Sequence, residues 1–357
     1  MNMKKIQDVQ LENKRVLLRV DFNVAIENGK IKEGFKIEAT KETIDYLLEK
    51  NARIALISHL GRPDGMVKPE FSLKQIIEDA ENILGVKIDF IDDCIGEKVK
   101  NGLDNLEDGK ILLLENVRFY AGDENNDVEF SKKLVEGFDI FVNDAFSASH
   151  RDHASVSGVA KLIPSFTGLR LQKEIEEMEK IKNNFEKPAV AIIGGAKIET
   201  KLPVIKFFEE KYDYILVGGK IANEALDQKI EFSEKVVLPI DFVDDRLDVG
   251  PKTISKFEEI ISEAKTIVWN GPLGKFEDSK YAMSSNEILE TILEMRTSNV
   301  HNGHSMSKPY VVVGGGETLE ILEKNNAKDL INFVSTGGGA MLEYLSGEKM
   351  PGIEALC

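Results

Sequence analysis

Nine short runs of apolar, largely β-branched residues recur along the chain, each followed by a charged stretch of helical length. In the first half they are Arg15–Val20, Arg53–Ile57, Lys110–Leu114 and Phe138–Val142. In the second they are Pro188–Ile193, Tyr212–Val217, Lys265–Trp269, Lys308–Val313 and Leu330–Val334. Helical patterns such as Glu38–Glu49, Ser72–Leu84 and Glu317–Glu323 lie between them. A strand that is apolar almost throughout has no wet face, so it must be covered on both sides. Parallel sheets with crossover helices meet that demand, and the expected fold class is α/β.

At roughly 150 residues per domain, 357 residues predict two domains. The boundary is expected near Pro164–Gly168, ahead of the charged stretch Arg170–Asn183. Leu171, Ile175, Met178 and Ile181 recur there at 3–4 spacing, which predicts a connecting helix with one buried stripe and a wet face. The two halves differ in composition. Of 28 glycines, 11 precede Gly168 and 17 lie from it onward, whereas six of the nine arginines precede it.

The formal net charge of −16 disfavours nucleic acid, whose backbone demands a basic face. No apolar run reaches the roughly 18 residues of a membrane span, and Met1–Glu12 has no apolar core of signal-peptide length. Two cysteines, Cys94 and Cys357, cannot build a disulfide framework, and two free thiols are expected. These features predict a cytoplasmic location.

Four strands of the second half end directly in glycines and run on into helical patterns: AIIGGAK (191–197), ILVGGK (215–220), VVVGGGET (311–318) and VSTGGGA (334–340). Without a β-carbon a ligand approaches the main chain, and each helix start offers unpaired N–H groups and a positive dipole end. One such turn is commonly just a tight βα connection. Four on one sheet edge form a phosphate cradle. The dinucleotide fingerprint GxGxxG and the P-loop GxxxxGK[ST] are both absent, so a paired-Rossmann dehydrogenase is disfavoured. Lys197 and Lys201 follow the first turn at i, i+4 spacing, which predicts both ammonium groups on one helix face. The segment WNGPLGKFE (269–277) holds the only tryptophan and predicts a ligand-lining loop.

The first half places polar residues at its strand ends instead: RVDFN (19–23), SHLGRP (58–63), ENVRF (115–119) and NDAFSASHRDHAS (143–155). The carboxyl ends of one parallel sheet converge, so Asp21, Asn23, His59, Arg62, Arg118, His150, Arg151 and His153 are expected to ring one pocket. Arginine grips phosphate or carboxylate through a planar fork. His150 and His153 lack the further ligands of a zinc site, and no GxSxG nucleophile is present. A side-chain anion pocket and a main-chain nucleotide cradle point to phosphoryl transfer gated by closure.

In order, RVDFNV, SHLGRP, LLENVRFY, FVNDAF…HRDHAS, IIGGAKIETK, VGGKIAN, WNGPLGKFE, VVGGGET and STGGGAMLEYL resemble the phosphoglycerate kinase family along nearly the whole chain. The resemblance implies two Rossmann-like domains with parallel sheets joined by a hinge helix. It places a 3-phosphoglycerate domain at 1–167 and a nucleotide domain at 168–346, with 347–357 returning to the first. The implied reaction moves a phosphoryl group between 1,3-bisphosphoglycerate and ADP to give 3-phosphoglycerate and ATP, in a monomer using Mg²⁺. Asp21, Asn23, Lys36, His59, Arg62, Arg118 and Arg151 would hold the phosphoglycerate. Gly195, Ala196, Lys197, Lys201, Gly219, Asn270, Pro272, Glu277 and Gly315–Thr318 would hold the nucleotide, with Glu317 on the metal. Lys36, Lys201, Gly316 and Gly338 would serve the transferring group, the last among N–H donors at Gly337–Gly339.

The chain departs from the family pattern where Lys36 replaces arginine and Glu317 replaces a metal-ligating aspartate. Thr200 stands for aspartate, and Lys220 and Lys275 replace small or apolar residues near the adenine site. These departures motivate one alternative, a catalytically impaired relative that binds nucleotide or phosphoglycerate in a regulatory role.

Overall fold

The computed structural model describes residues 3–27, 29–107, 109–297 and 308–357. They divide into two compact units, one comprising the chain up to Ile175 together with Lys349–Cys357, the other Glu176–Glu348. Each is built on a six-stranded, wholly parallel sheet.

The first sheet comprises β1 (Arg15–Arg19), β2 (Arg53–Ile57), β3 (Ile88–Ile91), β4 (Ile111–Leu114), β5 (Ile140–Asn143) and β6 (Ser165–Thr167). Its spatial order is β3-β4-β2-β1-β5-β6. The second comprises β7 (Ala189–Ile193), β8 (Tyr214–Val217), β9 (Val236–Val237), β10 (Thr266–Asn270), β11 (Tyr310–Gly314) and β12 (Phe333–Ser335). Its order, β9-β8-β7-β10-β11-β12, is that of a doubly wound nucleotide-binding sheet. The chain reverses direction across the sheet between β1 and β5 in one unit and between β7 and β10 in the other. Crevices at the carboxyl ends of those pairs are where open α/β sheets hold ligands.

All nine expected strands are present with slightly shifted ends. The three unforeseen strands of these two sheets, β3, β6 and β9, are all edge strands, and two short antiparallel hairpins, Ile26–Glu27 with Lys30–Ile31 and Phe242–Val243 with Asp248–Val249, are likewise unforeseen. Each lacks the long apolar run of a central strand for its own reason: IDFI is buried at only its first residue, SFT is short and polar though largely buried, and β9 is two half-buried residues, whereas β7 and β10 are buried at every position. No helix among the described residues is long and apolar enough to cross a membrane. Cys94 is buried, Cys357 exposed, and both are free thiols.

The helix Leu169–Asn183 buries Leu171, Ile175, Met178 and Ile181 as its spacing predicts. Its polar side is not uniformly wet, however, because Glu174 is 0% exposed and Glu177 5%. Arg170 Nη2 meets Glu174 Oε1 at 2.8 Å, and the Tyr310 hydroxyl donates to Glu177. Each buried carboxylate thus has a dedicated partner, as burial of charge requires. The compact units divide within this helix rather than ahead of it at Gly168. Its first turn is tied into the first unit by Thr43 Oγ1, which accepts from the Leu169 N–H at 3.0 Å, and by Asp144, which accepts from the Leu171 N–H at 3.1 Å. That unit also takes in the chain end, where the Lys4 N–H reaches the Leu356 carbonyl at 3.2 Å and Asn143 donates to the Gly352 carbonyl at 3.1 Å.

Candidate active site

In the first unit, the carboxyl end of central strand β1 delivers Arg19 into a nearly dry setting, 1% exposed. Its Nη2 lies 3.0 Å from His59 Nδ1 and its Nε donates to Ser155 Oγ at 3.3 Å, while Nη1 meets the Val20 carbonyl. Burial lowers the guanidinium to about 10, with Asp123 and Asp21 opposing. An always-charged donor at Nδ1 requires that nitrogen to accept, which leaves the proton of neutral His59 on Nε2. Burial first, then the charge of Arg19, hold His59 well below its usual range, in keeping with the neutral ring.

Asp21, 5% exposed, pairs with Lys36 Nζ at 2.9 Å and accepts from the Ser147 hydroxyl. Burial, the largest single influence, pushes its carboxyl up, but Lys36, His59 and the Ser147 hydroxyl together outweigh it and hold the group well below the ordinary range. Lys36 Nζ also donates to the Asn23 carbonyl at 3.2 Å, and Asn23 Oδ1 accepts from the Gly61 N–H at 2.9 Å. Arg118 is buried and donates from Nη1 to the Gly61 carbonyl at 2.8 Å. Its Nε lies 3.4 Å from Glu124. Burial depresses the Arg118 guanidinium, Glu124 restores part of that, and Arg151 depresses it further. Arg62 lies exposed on the loop beyond Gly61, and Arg151 and His150 are half-buried. Burial and then Arg151 bring His150 to about 4. Asp21, Lys36, Asn23 and Arg118 are thereby linked through shared bonds by way of Gly61, while His59 is held separately by Arg19. The result is a cluster in which Arg19, Lys36, Arg118 and Arg151 outnumber the carboxylates paired with them, Asp21 and Glu124.

In the second unit, the carboxyl ends of β7 and β10 are sewn together through the main chain. The Gly194 N–H donates to the Asn270 carbonyl at 2.9 Å and the Gly195 N–H to the Pro272 carbonyl at 3.1 Å. A β-carbon on Gly194 would sit 2.0 Å from the Pro272 carbonyl oxygen, so only glycine permits this approach. Gly316 and Gly338 open the helices Gly316–Lys324 and Gly338–Ser346. These two turns nearly touch, since a β-carbon on Gly338 would lie 2.9 Å from Gly315 Cα. Beyond them the helix starts are open: a β-carbon on Gly316 or Gly339 meets no atom within 4 Å. Asn270 ties the turns to a cation, for its Oδ1 accepts from Lys201 Nζ at 2.8 Å and its Nδ2 lies 3.4 Å from the Gly338 carbonyl.

Burial lowers Lys201 to about 8, with Glu317 opposing. Desolvation and then the repulsion of Glu277 push Glu317 up, and Lys201 pulls it back. A cavity of about 310 Å³ adjoins this cluster, lined by Gly195, Ala196, Gly219, Pro272, Glu277 and Glu317 together with Lys220, Arg246 and Lys275. It is within the size range of small-molecule sites.

The phosphoglycerate kinase family model matches residues 6–237 and 228–348. The phosphoglycerate kinase of Finegoldia magna is 39% identical over a 404-position alignment that covers 100% of this chain and 99% of the relative. That of Borreliella burgdorferi strain B31 is 38% identical, with both chains fully covered. The chain belongs to the phosphoglycerate kinase family. Among solved structures, phosphoglycerate kinase from Coxiella burnetii superposes with a TM-score of 0.80 at 33% identity, covering 99% of this chain and 98% of that one. The Pyrococcus horikoshii enzyme gives 0.86 at 28% identity with the same coverage. Because 404 aligned positions hold only 357 residues of this chain while covering 99% of the Finegoldia relative, its shortness comes from internal gaps.

Within this chain one site expectation needs correction, and two further residues take positions that spacing did not specify. Lys197 and Lys201 do not share a helix face. Lys197 has φ +73° and lies outside the helix, which begins at Leu202 with Pro203 in its first turn. The Ile198 N–H is drawn instead to Glu224 Oε2 at 2.7 Å, so Lys197 stays exposed while Lys201 turns inward. Thr318 also serves the fold. Its Oγ1 is buried and accepts from the Gly271 N–H at 2.7 Å, holding the turn after β10. Asn270 does not line the 310 Å³ cavity but belongs with Lys201 at the glycine turns. The sequence reading also passed over Arg19 and Arg246. Arg19 was visible as a charge closing the apolar run RVLLR, a position that a central strand leaves no water to solvate. Arg246 had no such signal, because it reaches the cavity from a hairpin loop.

Proposed function

We propose that the chain moves a phosphoryl group reversibly between 1,3-bisphosphoglycerate and ADP, yielding 3-phosphoglycerate and ATP, by direct in-line transfer. Full-length kinship fixes the class of kinase, and one local observation supports the assignment of parts. That observation is the cluster of Lys201 with the two open helix starts at Gly316 and Gly338. Main-chain N–H groups and positive helix ends favour phosphate oxygens there, and Lys201 adds a full charge.

The nucleoside occupies the 310 Å³ cavity against Gly195, Ala196, Gly219, Pro272 and Glu277, its phosphates running toward Lys197 and Gly315–Glu317. Lys201, Gly316 and Gly338 donate to the transferring group. The acceptor 3-phosphoglycerate sits among Asn23, Lys36, His59, Arg62, Arg118 and Arg151, with Asp21 fixing Lys36. Its carboxylate is ionised at neutral pH, so no general base is required. Catalysis then consists of alignment and of neutralising oxygen charge. In-line transfer demands that acceptor and donor meet, and hinge closure is part of the reading.

Mg²⁺ fits the residues present. No group of three or more His, Cys, Asp or Glu is placed to hold a metal among the described residues, and Glu317 is a carboxylate raised by desolvation and by Glu277. One carboxylate plus phosphate oxygens and water is the usual Mg²⁺ shell, and the ion would supply charge neutralisation on those oxygens.

The test is a coupled assay run in both directions with purified chain. Turnover dependent on both substrates and Mg²⁺ is expected. Absence of turnover with both ligands shown to bind would overturn the reading in favour of a binding-only relative. Gel filtration at assay concentration is expected to give a monomer.

A further inference from the structure

The second unit carries another cavity at the opposite end of its sheet, away from the glycine turns. It has a volume of about 340 Å³ and opens among the amino-terminal ends of β10, β11 and β12 and the last turns of the helices Leu169–Asn183 and Met283–Thr297. Four cations line it, Lys180, Lys265, Arg296 and Lys308, against the single carboxylate of Glu186. Such a grouping is unexpected in a chain of net charge −16.

Structural roles account for only part of it. Arg296 donates from Nη1 to the Pro309 carbonyl at 2.8 Å and to Asn332, and from Nε to the Leu330 carbonyl. It is thereby held rigid, and its Nη2 has no partner among the described residues. Lys180 Nζ lies over the Tyr310 ring, 3.3 Å from the centroid, a cation–π contact that leaves its N–H donors available. Lys265 and Lys308 are exposed and have no carboxylate partner among the described residues. Each helix carboxyl end carries roughly half a negative charge, so the two ends offset about one cation, and Glu186 offsets another. The Glu177 carboxylate that accepts from the Tyr310 hydroxyl offsets a third, and about one positive charge remains. Phe185, Pro309 and Tyr310 give the cavity an apolar wall, so it is a shaped recess and not a bare patch of lysines.

We propose that this recess is a second anion site, distinct from the substrate and nucleotide pockets, which takes a small phosphate monoester or comparable dianion. The residual positive charge favours an anion, and rigid Arg296 offers a fixed donor with the lysines closing around it. The volume suits a compact phosphorylated metabolite.

The test is equilibrium dialysis of radiolabelled inorganic phosphate against the full chain with saturating 3-phosphoglycerate and ADP, a pair that cannot turn over. One equivalent of phosphate is expected to remain bound. The K265Q/K308Q double variant is expected to weaken that binding at least tenfold with kcat unchanged, while K256Q, at an exposed lysine elsewhere, leaves it as it was. Failure to find bound phosphate under these conditions overturns the proposal. So does phosphate that binds equally to the double variant, since it then occupies the catalytic pockets. Should the double variant lose its melting transition, the single variants K265Q and K308Q are read by the same criterion.

Discussion

Lys201 is the residue on which the proposed chemistry leans most, and its replacement by alanine gives a calculable loss. Its ammonium is held by Asn270 Oδ1 at 2.8 Å and partly desolvated, so its field is screened less than that of a surface lysine. A unit charge about 4 Å from a phosphoryl oxygen is worth ~4 kcal/mol at an effective dielectric of about 20. At 1.36 kcal/mol per decade this is about a thousandfold in kcat. Stability is expected to fall by only ~1 kcal/mol, because the one charge-assisted hydrogen bond that is lost is offset in part by relief of the cation's own desolvation. A second consequence concerns pH. The charged form is the active one, and burial has brought Lys201 to about 8. The kcat/KM for MgATP in excess 3-phosphoglycerate is therefore expected to decline as pH rises through about 8. K201R, permanently charged, should flatten that limb even at reduced rate. The assay is the coupled ATP-consuming reaction from pH 6.5 to 9.5, with circular dichroism melts as the folding control. If K201A kept kcat within tenfold of the parent, or K201R kept the alkaline limb, the role given to Lys201 would be wrong.

Lys36→Arg is expected to preserve or raise kcat, since it keeps the pairing with Asp21 and adds a planar fork; a loss above tenfold in the coupled assay would show a pocket re-adapted around lysine. Gly338→Ala should cut kcat strongly, because the new β-carbon meets Gly315 Cα at 2.9 Å, whereas Gly339→Ala, which meets nothing within 4 Å and keeps its N–H, should leave it within a few-fold. Asp144 is buried and raised to about 6 from an unfolded value near 3.8, chiefly by desolvation. The folded state therefore holds the extra proton between those values, and its stability falls as pH rises through them, by up to ~3 kcal/mol. Asp144→Asn should remove that decline and exceed the parent in urea melts at pH 8. A variant with unchanged pH dependence would exclude Asp144 as its source.

Most of the architecture was legible because the physics that builds it is local. Runs such as AVAII and TIVWN can only be buried on both faces, and both are central strands. The edges β3 and β9 lack that signature because they are partly exposed, and β6 lacks it because it is three residues long with two hydroxyl side chains. The position of each site motif at a strand carboxyl end was equally readable, since a glycine turn or a polar cluster directly follows each apolar run. What sequence spacing failed to convey was direction. Lys197 and Lys201 are four residues apart, but the left-handed backbone at Lys197 and the helix start at Leu202 send one to solvent and the other inward. Thr318 stands in the expected motif, and its buried hydroxyl accepts from the Gly271 N–H. Both outcomes depend on partners from distant segments, Glu224 and the turn after β10, which spacing along the chain does not encode.

The charge distribution carries the last step. A net charge of −16 describes a surface crowded with carboxylates, many paired with nearby lysines at a contribution of a few tenths of a kcal/mol each. The cations that matter for chemistry are withheld from that traffic. Arg19, Arg118 and Lys201 are desolvated at the strand ends, where burial depresses all three, and His59 is kept neutral by the same burial. Burying cations with too few carboxylates is unfavourable for the folded chain alone, because each has left water without a full counter-charge. A bound phosphate or carboxylate supplies the missing charge. The free enzyme therefore holds its pockets in a state that an anion relaxes, and the transferring phosphoryl group, whose oxygens carry the most charge, relaxes it furthest.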